Sequence, residues 1–317
     1  MTNIHAALIE SLDEPPRLRS IPTPHAHTGH DLVDVLAVGI HPATRSIASG
    51  GHYASSAALP FIPGIDGVVR MVDGTLAYVG GPGSATLAER ILINPHAAIP
   101  LPAGADPAIV AASMNPAMSS WVVLQARVPF EPGKAVLIMG ATGNAGSMAV
   151  KAARYLGAGQ VIAAGRNRDR LDQLRSDGAD DVVVLSADDD ATARTLAKAA
   201  GHVDIVLDYV WGPPTELAMS AILGARKDHT QLLDWVHIGG TAGPTITLDG
   251  ASLRSNALRI GGSGFGSIDM QRANLPDLVA AIGSGALVVQ PRPVPLADIE
   301  MAWVHDDAPG ERTVIIP

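Results

Sequence analysis

This 317-residue chain has no cysteine, few aromatic residues and fewer basic than acidic residues. It contains no cysteine, which excludes disulfides, thiolate nucleophiles and every metal site that needs a cysteine ligand. Its 22 basic residues stand against 31 acidic ones, a formal charge of −9. This balance argues against binding to nucleic acid or to an anionic membrane surface. Only 3% of the residues are aromatic, so few side chains can stack on a large flat ligand.

Long apolar runs are also missing. No uninterrupted apolar stretch reaches the roughly 18 residues that would cross a bilayer. The N-terminal segment lacks the basic start and apolar core of a secretory signal. We therefore expect a cytoplasmic globular protein.

The character of the chain changes along its length. The first part is rich in Pro, Gly and His and is broken by turn formers, which predicts short strands. From residue 133 onwards, strands and helices alternate, beginning with the apolar strand Ala135–Met139 and a helix with apolar residues at helical spacing. This alternation predicts an α/β fold with a doubly wound parallel sheet. We expect a nucleotide-binding domain of residues 117–266 and a mainly β domain of residues 1–116, completed by the returning residues 267–317.

The strongest motif is a glycine-rich turn between that strand and helix, Gly140-Ala-Thr-Gly143-Asn-Ala-Gly146. The first glycine permits a tight turn, the second lets the backbone approach a pyrophosphate, and the third lets the helix pack close to the strand. N–H groups at the helix start then face the phosphates. A turn made only for packing is the alternative. Dinucleotide binding is favoured, through Thr142, Gly143, Asn144, Ala145 and Gly146.

The end of the second strand indicates which dinucleotide is bound. NAD-binding units place Asp or Glu about 20 residues beyond the turn, where it binds the ribose 2′-hydroxyl. This chain has Arg166 at that spacing, and a guanidinium suits a 2′-phosphate. The sequence therefore predicts NADP(H) rather than NAD(H), held by Gly165, Arg166 and Asn167. Arg168 and Arg170 could help, although solvated helix arginines are the more ordinary interpretation.

Loops after the later strands should close over the same cofactor, because the carboxyl ends of parallel strands share one edge of the sheet. The candidates are Tyr209 after the fourth strand, Ile238, Gly239 and Gly240 after the fifth, and Ser263 and Phe265 after the sixth. Ordinary turn chemistry is the alternative for each loop.

Several segments resemble the medium-chain dehydrogenase/reductases, most nearly their zinc-independent, quinone oxidoreductase-like branch. These segments are residues 63–67 (PGIDG), 119–121 (SSW), 133–150 (GKAVLIMGATGNAGSMAV), 295–303 (PLADIEMAW) and 310–317 (GERTVIIP). The resemblance implies a GroES-like substrate domain, hydride transfer from NADPH in the cleft between the domains, and a homodimer formed through the cofactor domain. It also adds Ser119 and Arg312 to the residues expected near the cofactor, with a surface salt bridge as the alternative role for Arg312. Zinc-dependent relatives use cysteine ligands, so the resemblance implies a site without metal.

Three residues are candidates for polarising or protonating the substrate. His41 stands where this branch typically has asparagine, Tyr53 matches a tyrosine of its substrate cleft, and Asn115 is a candidate by neighbourhood. Histidine, with an ordinary pKa of about 6.5, can exchange protons at neutral pH. A structural histidine is a nearly equal alternative for His41, and a turn or helix cap is the favoured alternative for Asn115.

Together these features predict an NADPH-dependent reductase of quinones or α,β-unsaturated carbonyls, with small substrates favoured. Short-chain reductases are disfavoured, because the glycine turn begins at residue 140 and no tyrosine has lysine four residues later. A nonenzymatic NADPH-binding redox sensor on the same fold is the alternative.

Overall fold

The chain divides into two compact units in a computed structural model that describes residues 2–55, 58–81, 83–264 and 274–317. Unit 1 is Met1–Asn115 with Leu275–Pro317, and unit 2 is Pro116–Asn274. The return to unit 1 begins at Leu275 rather than at the expected residue 267. The helix that opens at Leu275 accounts for this difference, because its apolar residues pack within unit 1.

The N-terminal segment of unit 1, which precedes unit 2 in the chain, consists mainly of strands. Its elements are β1 (Asn3–Leu8), β2 (Arg17–Pro22), β3 (Asp31–Gly39), α1 (Pro42–Ala48), β4 (Asp66–Arg70), β5 (Leu76–Gly80), β6 (Arg90–Ile93) and β7 (Ile99–Pro100). The helix α2 (Pro107–Val122) then carries the chain into unit 2 and continues as a π-helical turn, Val123–Arg127.

Unit 2 alternates strands and helices. Its elements are β8 (Ala135–Met139), α3 (Asn144–Tyr155), β9 (Gln160–Gly165), α4 (Arg168–Ser176), β10 (Asp181–Val184), α5 (Asp189–Ala200), β11 (Ile205–Asp208), α6 (Pro213–Ala225), β12 (Leu233–His237), α7 (Gly250–Ser255) and β13 (Leu258–Gly262). The chain returns to unit 1 as α8 (Leu275–Gly283), β14 (Gln290–Pro295), α9 (Ile299–Val304) and β15 (Glu311–Ile316).

The sheet of unit 2 is parallel throughout, in the order β10-β9-β8-β11-β12-β13. Alternate residues of its strands enter two separate cores: Val136 and Ile138 pack in one, and Leu137 and Met139 pack in the other. Both faces are therefore covered, as a doubly wound sheet requires. This is the predicted fold class, and its strand order reverses between β8 and β11, where such folds bind nucleotides.

The sheet of unit 1 has the order β14-β15-β3-β4-β5-β7, with β6 also paired to β3 and a separate β1–β2 ribbon. The C-terminal strand β15 lies antiparallel to β3 and parallel to β14. The returning segment therefore completes a sheet that the N-terminal segment begins.

Helix α2 differs from the sequence-based interpretation. Asn115 lies inside it and Pro116 follows within the same helix, so the turn or helix cap favoured for Asn115 is wrong. Apolar packing holds the helix together where proline removes one backbone hydrogen bond, since Met114 and Ala117 on either side are fully buried. The stretch Pro107–Arg127 is long and apolar enough to cross a membrane, but 67% of its most apolar window is buried in the protein, as in a core helix.

Candidate active site

The glycine-rich turn joins β8 to α3 at the carboxyl edge of the parallel sheet. Gly140 has a φ of +84°, a left-handed conformation that favours glycine. A Cβ on Gly146 would lie 2.2 Å from the carbonyl oxygen of Gly140 and 2.7 Å from the Cα of Ala141. Gly146 is therefore required for the close packing of α3 on its own turn.

Gly143 is different, because no described part of the protein requires a glycine there. Its φ of −80° suits any residue, and a Cβ there would have the Gly140 carbonyl oxygen as its nearest neighbour, at 3.7 Å. It is the N-cap of α3 and carries no side chain to cap the helix. The open space above Gly143 fits the approach of a pyrophosphate to the N–H groups that begin every helix.

Arg166 follows the last residue of β9 and is exposed. Within the described part of the chain, its guanidinium has no hydrogen-bond or ion-pair partner and is available to an anion. Its neighbour Asn167 accepts a hydrogen bond from the backbone N–H of Arg170 (3.0 Å) and so caps α4. Gly165 packs against Thr142, whose Cγ2 would lie 2.7 Å from a Cβ at that position.

Tyr209 and Ser119, separated by 90 positions in the chain, come together in unit 2. The Tyr209 hydroxyl lies 2.9 Å from Ser119 Oγ, and Ser119 Oγ donates to the carbonyl of Pro116 at 2.9 Å. Burial raises the pKa of Tyr209 to about 12, so the phenol keeps its proton at neutral pH.

The remaining predicted cofactor loops of unit 2 follow the ends of β12 and β13. The backbone N–H groups of Ile238 and Gly239 donate to the carbonyl of Asp208, at 2.7 and 3.1 Å. Gly240 follows them and is exposed. Ser263 donates its N–H to the carbonyl of His237 at 2.9 Å. Phe265 lies outside the described residues.

His41 immediately precedes α1 in unit 1 and is 1% exposed. Its Nε2 lies 3.3 Å from Oδ1 of Asp66, although neither ring nitrogen has a hydrogen-bond partner among the described residues. A Cβ on Gly39 would lie 2.5 Å from the same Nε2, so the imidazole packs directly on that glycine. The other Asp66 oxygen accepts a hydrogen bond from the Tyr78 hydroxyl at 2.8 Å. Burial, and then the Asp66 charge, raise the pKa of Tyr78 well above its ordinary value.

Comparison with known proteins identifies the family of this chain. A family model described as zinc-binding dehydrogenase matches residues 145–281. The probable NADPH-dependent quinone reductase tdiC of Emericella nidulans is 32% identical over 362 aligned positions, covering 99% of this chain and 100% of the relative. The chain belongs to the medium-chain dehydrogenase/reductase superfamily. Within it, this reductase is quinone oxidoreductase-like, as the sequence motifs predicted.

Solved structures share the architecture of this reductase. The quinone oxidoreductase of Thermus thermophilus, determined alone and with NADPH, superposes with a TM-score of 0.80 at 26% identity, covering 99% of this chain and 100% of that one. The predicted combination of Rossmann and GroES-like domains is confirmed.

A further relative matches part of the sequence. The chloroplastic NADPH-dependent alkenal/one oxidoreductase of Arabidopsis thaliana is 25% identical over 209 residues, which are 60% of this chain and 52% of the relative.

Arg312, which was expected near the cofactor, is buried and not exposed. It is buried in unit 1, where Nη1 donates to the Ile40 carbonyl at 2.9 Å and lies 3.1 Å from Oδ2 of Asp307. Burial lowers the pKa of Arg312. The observed contacts therefore tie β15 to the residue before His41, and a role in cofactor binding stays a prediction.

Tyr53 lies after α1 and is 74% exposed, and its ring centroid is 4.2 Å from that of His52. Asn115 is half-buried in α2. The structure thus pairs neither Tyr53 nor Asn115 with His41, which faces Asp66.

One group of potential metal ligands occurs in the described ranges of this medium-chain reductase: His305, Asp307 and Glu311 in unit 1. Both oxygens of Asp307 already accept hydrogen bonds, one from Arg312 and the other from Thr313. This carboxylate is thus already paired with a cation inside the protein.

Two buried, hydrogen-bonded carboxylates, Asp66 and Asp208, escaped the sequence analysis. Asp66 lies in the segment of residues 63–67 that resembles the family, and Asp208 directly precedes the candidate Tyr209. A usable signal exists for both, because each is a lone carboxylate in or at the end of an apolar strand, where a buried charge requires several hydrogen-bond partners.

Proposed function

We propose that this NADPH-dependent oxidoreductase reduces a quinone or an α,β-unsaturated carbonyl without the help of a metal. The observation that carries the cofactor assignment is the open position above Gly143 together with Arg166, which is exposed at the same edge of the sheet and unpaired among the described residues. The first position suits a pyrophosphate, and the second suits a 2′-phosphate.

The residues at this edge have separate roles. Thr142, Gly143, Asn144, Ala145 and Gly146 would hold the pyrophosphate, Arg166 the 2′-phosphate, and the loops that begin at Tyr209 and Ile238 the rest of the dinucleotide. Asn167 caps α4 through its side-chain oxygen. It would therefore support the site by fixing the start of α4 next to Arg166.

NADPH, when bound, supplies the hydride. The protein must then position the acceptor and deliver a proton to it. Tyr209 keeps its proton at neutral pH and donates it to Ser119 Oγ, because Ser119 donates its own proton to the Pro116 carbonyl. His41 faces Asp66 in the interior, which favours a structural role, whereas the exposed phenol of Tyr53 is accessible to a substrate.

The names of the relatives support the proposed substrate class. The Emericella and Thermus relatives are named as quinone reductases, and the Arabidopsis relative as an alkenal/one oxidoreductase. Quinones and enones both accept hydride at an electron-poor carbon of a conjugated carbonyl. The absence of cysteine from the whole sequence supports chemistry without zinc, because the zinc sites of related dehydrogenases depend on that ligand.

A cytoplasmic homodimer is part of the proposal. The end strand β13 pairs only with β12 in the described ranges, and Ile260 on it is 36% exposed. An open strand edge favours pairing with another strand, and two identical edges can meet about a two-fold axis. Sedimentation equilibrium of the purified protein tests this part.

The test of the cofactor assignment is a pair of fluorescence titrations, with NADPH and with NADH. We expect NADPH to bind at least tenfold more tightly. Arg166→Ala should remove most of that preference, because charge-assisted hydrogen bonds contribute about 1.5–3 kcal/mol and about 1.4 kcal/mol corresponds to a tenfold change in affinity. Arg168→Ala, an exposed arginine in the next helix, is the matched control and should change the preference less than twofold. Equal loss in both variants would contradict the specific role of Arg166.

The test of the chemistry is turnover of NADPH with a panel of small quinones and enones, before and after dialysis against EDTA. We expect turnover with at least one compound and no change on chelation. Tight NADPH binding without turnover on the panel would instead support the redox-sensor alternative, and loss of activity on chelation would contradict the reaction without metal.

A further inference from the structure

Asp208 ends β11 and is fully buried at the carboxyl edge of the parallel sheet. Its carboxylate accepts four hydrogen bonds. Oδ1 accepts from the backbone N–H groups of Val210 (2.8 Å) and Trp211 (3.0 Å), and Oδ2 accepts from Thr215 Oγ1 (2.7 Å) and Trp235 Nε1 (2.9 Å). No cationic side chain of the described ranges pairs with it, so these four donors alone compensate the buried charge.

The backbone of Asp208 joins a second loop to the first. Its carbonyl accepts the N–H groups of Ile238 (2.7 Å) and Gly239 (3.1 Å), which follow β12. One step further, Ala242 donates its N–H to the carbonyl of Val210 at 2.8 Å. The loops after β11 and β12 are therefore held together from their first residues, and Asp208 lies at their base.

In the first of these loops, Trp211 has a backbone conformation that a tryptophan does not favour. Trp211 has a φ of +55° although it is not glycine, and Gly212 follows with a φ of +65°. A bulky residue in this region stores strain that the surroundings must hold. The hydrogen bond from the Trp211 N–H to Asp208 acts directly on the strained residue, and the Trp211 ring contacts the ring of His237 with centroids 4.4 Å apart.

We propose that Asp208 is a positioning residue for NADPH. It fixes the two loops that carry Tyr209, Ile238 and Gly239, so that they are ordered before the cofactor arrives and binding does not have to order them. This inference rests on the proposed function, because it assumes that these loops contact NADPH. It assigns Asp208 no contact with the cofactor itself.

The central test is Asp208→Asn, which preserves shape but replaces one oxygen by an NH2 group. Trp235 can only donate at its indole nitrogen, so an amide nitrogen placed at Oδ2 would face a second donor. We expect the Kd for NADPH to rise at least tenfold in a variant that is still folded. The matched control is Asp204→Asn, at the amino edge of the same sheet, where Asp204 accepts from the N–H of Ala135 at 2.9 Å and from Gln231 Nε2 at 3.0 Å. It should lower the Tm while leaving the Kd within twofold.

A rescue separates positioning from general damage. In Asp208→Asn with Trp235→Phe the opposing donor is gone, and the Asn amide can donate to the Thr215 hydroxyl, which also accepts. We expect NADPH affinity to recover by at least threefold over the single variant, even though the double variant has lost part of a buried ring. If Asp208→Asn does not fold, Thr215→Val removes only one donor, and we expect about a threefold rise in Kd.

The inference is overturned if a folded Asp208→Asn or Thr215→Val variant binds NADPH like the wild type. It is also overturned if Asp204→Asn weakens binding as much as Asp208→Asn does. The wild-type titration separates this failure from that of the proposed function: a wild type without affinity for NADPH refutes the cofactor assignment, whereas a tight-binding wild type with an unaffected Asp208→Asn variant refutes only the role of Asp208.

Discussion

Two glycines of one turn should respond differently to the addition of a single methyl group. In Gly143→Ala the new Cβ has no described protein atom nearer than 3.7 Å, and the φ of −80° suits alanine. Reduced freedom of the unfolded chain stabilises such a variant by about 0.4–1 kcal/mol. Alanine is, however, a poorer N-cap than glycine, by an amount of similar size. The two terms offset each other, and the free energy of unfolding should change by less than about 1 kcal/mol.

Gly146→Ala should instead destabilise the fold. Its Cβ would lie 2.2 Å from the Gly140 carbonyl oxygen and 2.7 Å from the Ala141 Cα. Both are backbone atoms, which can move only if the whole turn moves. Overpacking of this kind costs about 1–3 kcal/mol, which corresponds to a fall in Tm of about 2–12 °C for a domain of this size.

The assay combines thermal unfolding without ligand and fluorescence titration with NADPH. We expect Gly143→Ala to unfold within about 4 °C of the wild type and yet to bind NADPH at least tenfold more weakly, because the methyl group occupies the space proposed for the pyrophosphate. Unaltered NADPH affinity in Gly143→Ala would refute the placement of the pyrophosphate at this residue. A wild-type Tm in Gly146→Ala would refute the packing argument.

Two further predictions concern protonation and a buried ion pair. The pKa of Tyr209 is raised in the folded state to about 12 from an ordinary 10.0, so its contribution to stability is complete below pH 10 and is lost as the pH rises through about 12. The stability difference between wild type and Tyr209→Phe, measured by denaturant unfolding, should therefore shrink by about 1.4 kcal/mol per pH unit in that window, and a constant difference would contradict the burial argument. Arg312→Ala leaves the buried Asp307 carboxylate without its cation and should cost about 3–5 kcal/mol, whereas Arg17→Ala, which breaks an exposed pair with Glu14, should cost at most about 1 kcal/mol.

The sequence predicts unit 2 well because its signals are local. The strand expected over residues 135–139 has those bounds in the structure, and the helix expected after the glycine-rich turn follows it as Asn144–Tyr155. Parallel strands that alternate with helices are separated by their own turn signals, and each element can be recognised from its neighbours in the chain. The same holds for the glycine turn, whose Gly146 packs against residues of its own motif.

The residues of unit 1 were harder to place, because their environment comes from distant parts of the chain. His41 is a neighbour of Asp66 only through the folded sheet, and the Arg312 side chain reaches the Ile40 carbonyl 272 positions away. Spacing along the sequence carries no information on such contacts. Motif resemblance indicated that His41, Tyr53 and Arg312 are noteworthy, but it did not reveal that two of them are buried and one is exposed.

The division of unit 1 into two chain segments imposes an order on folding during synthesis. Unit 2, Pro116–Asn274, is continuous, so all its strands are available while the rest of the chain is still being made. Strand β3 pairs with β4 and β6 within the N-terminal segment, but at Val38 and Gly39 its partner is β15, which the ribosome delivers last. Until then that end of β3 is unpaired, and exposed strand edges are sites of aggregation. The N-terminal segment therefore carries an open strand end for as long as the ribosome takes to translate unit 2 and the returning segment.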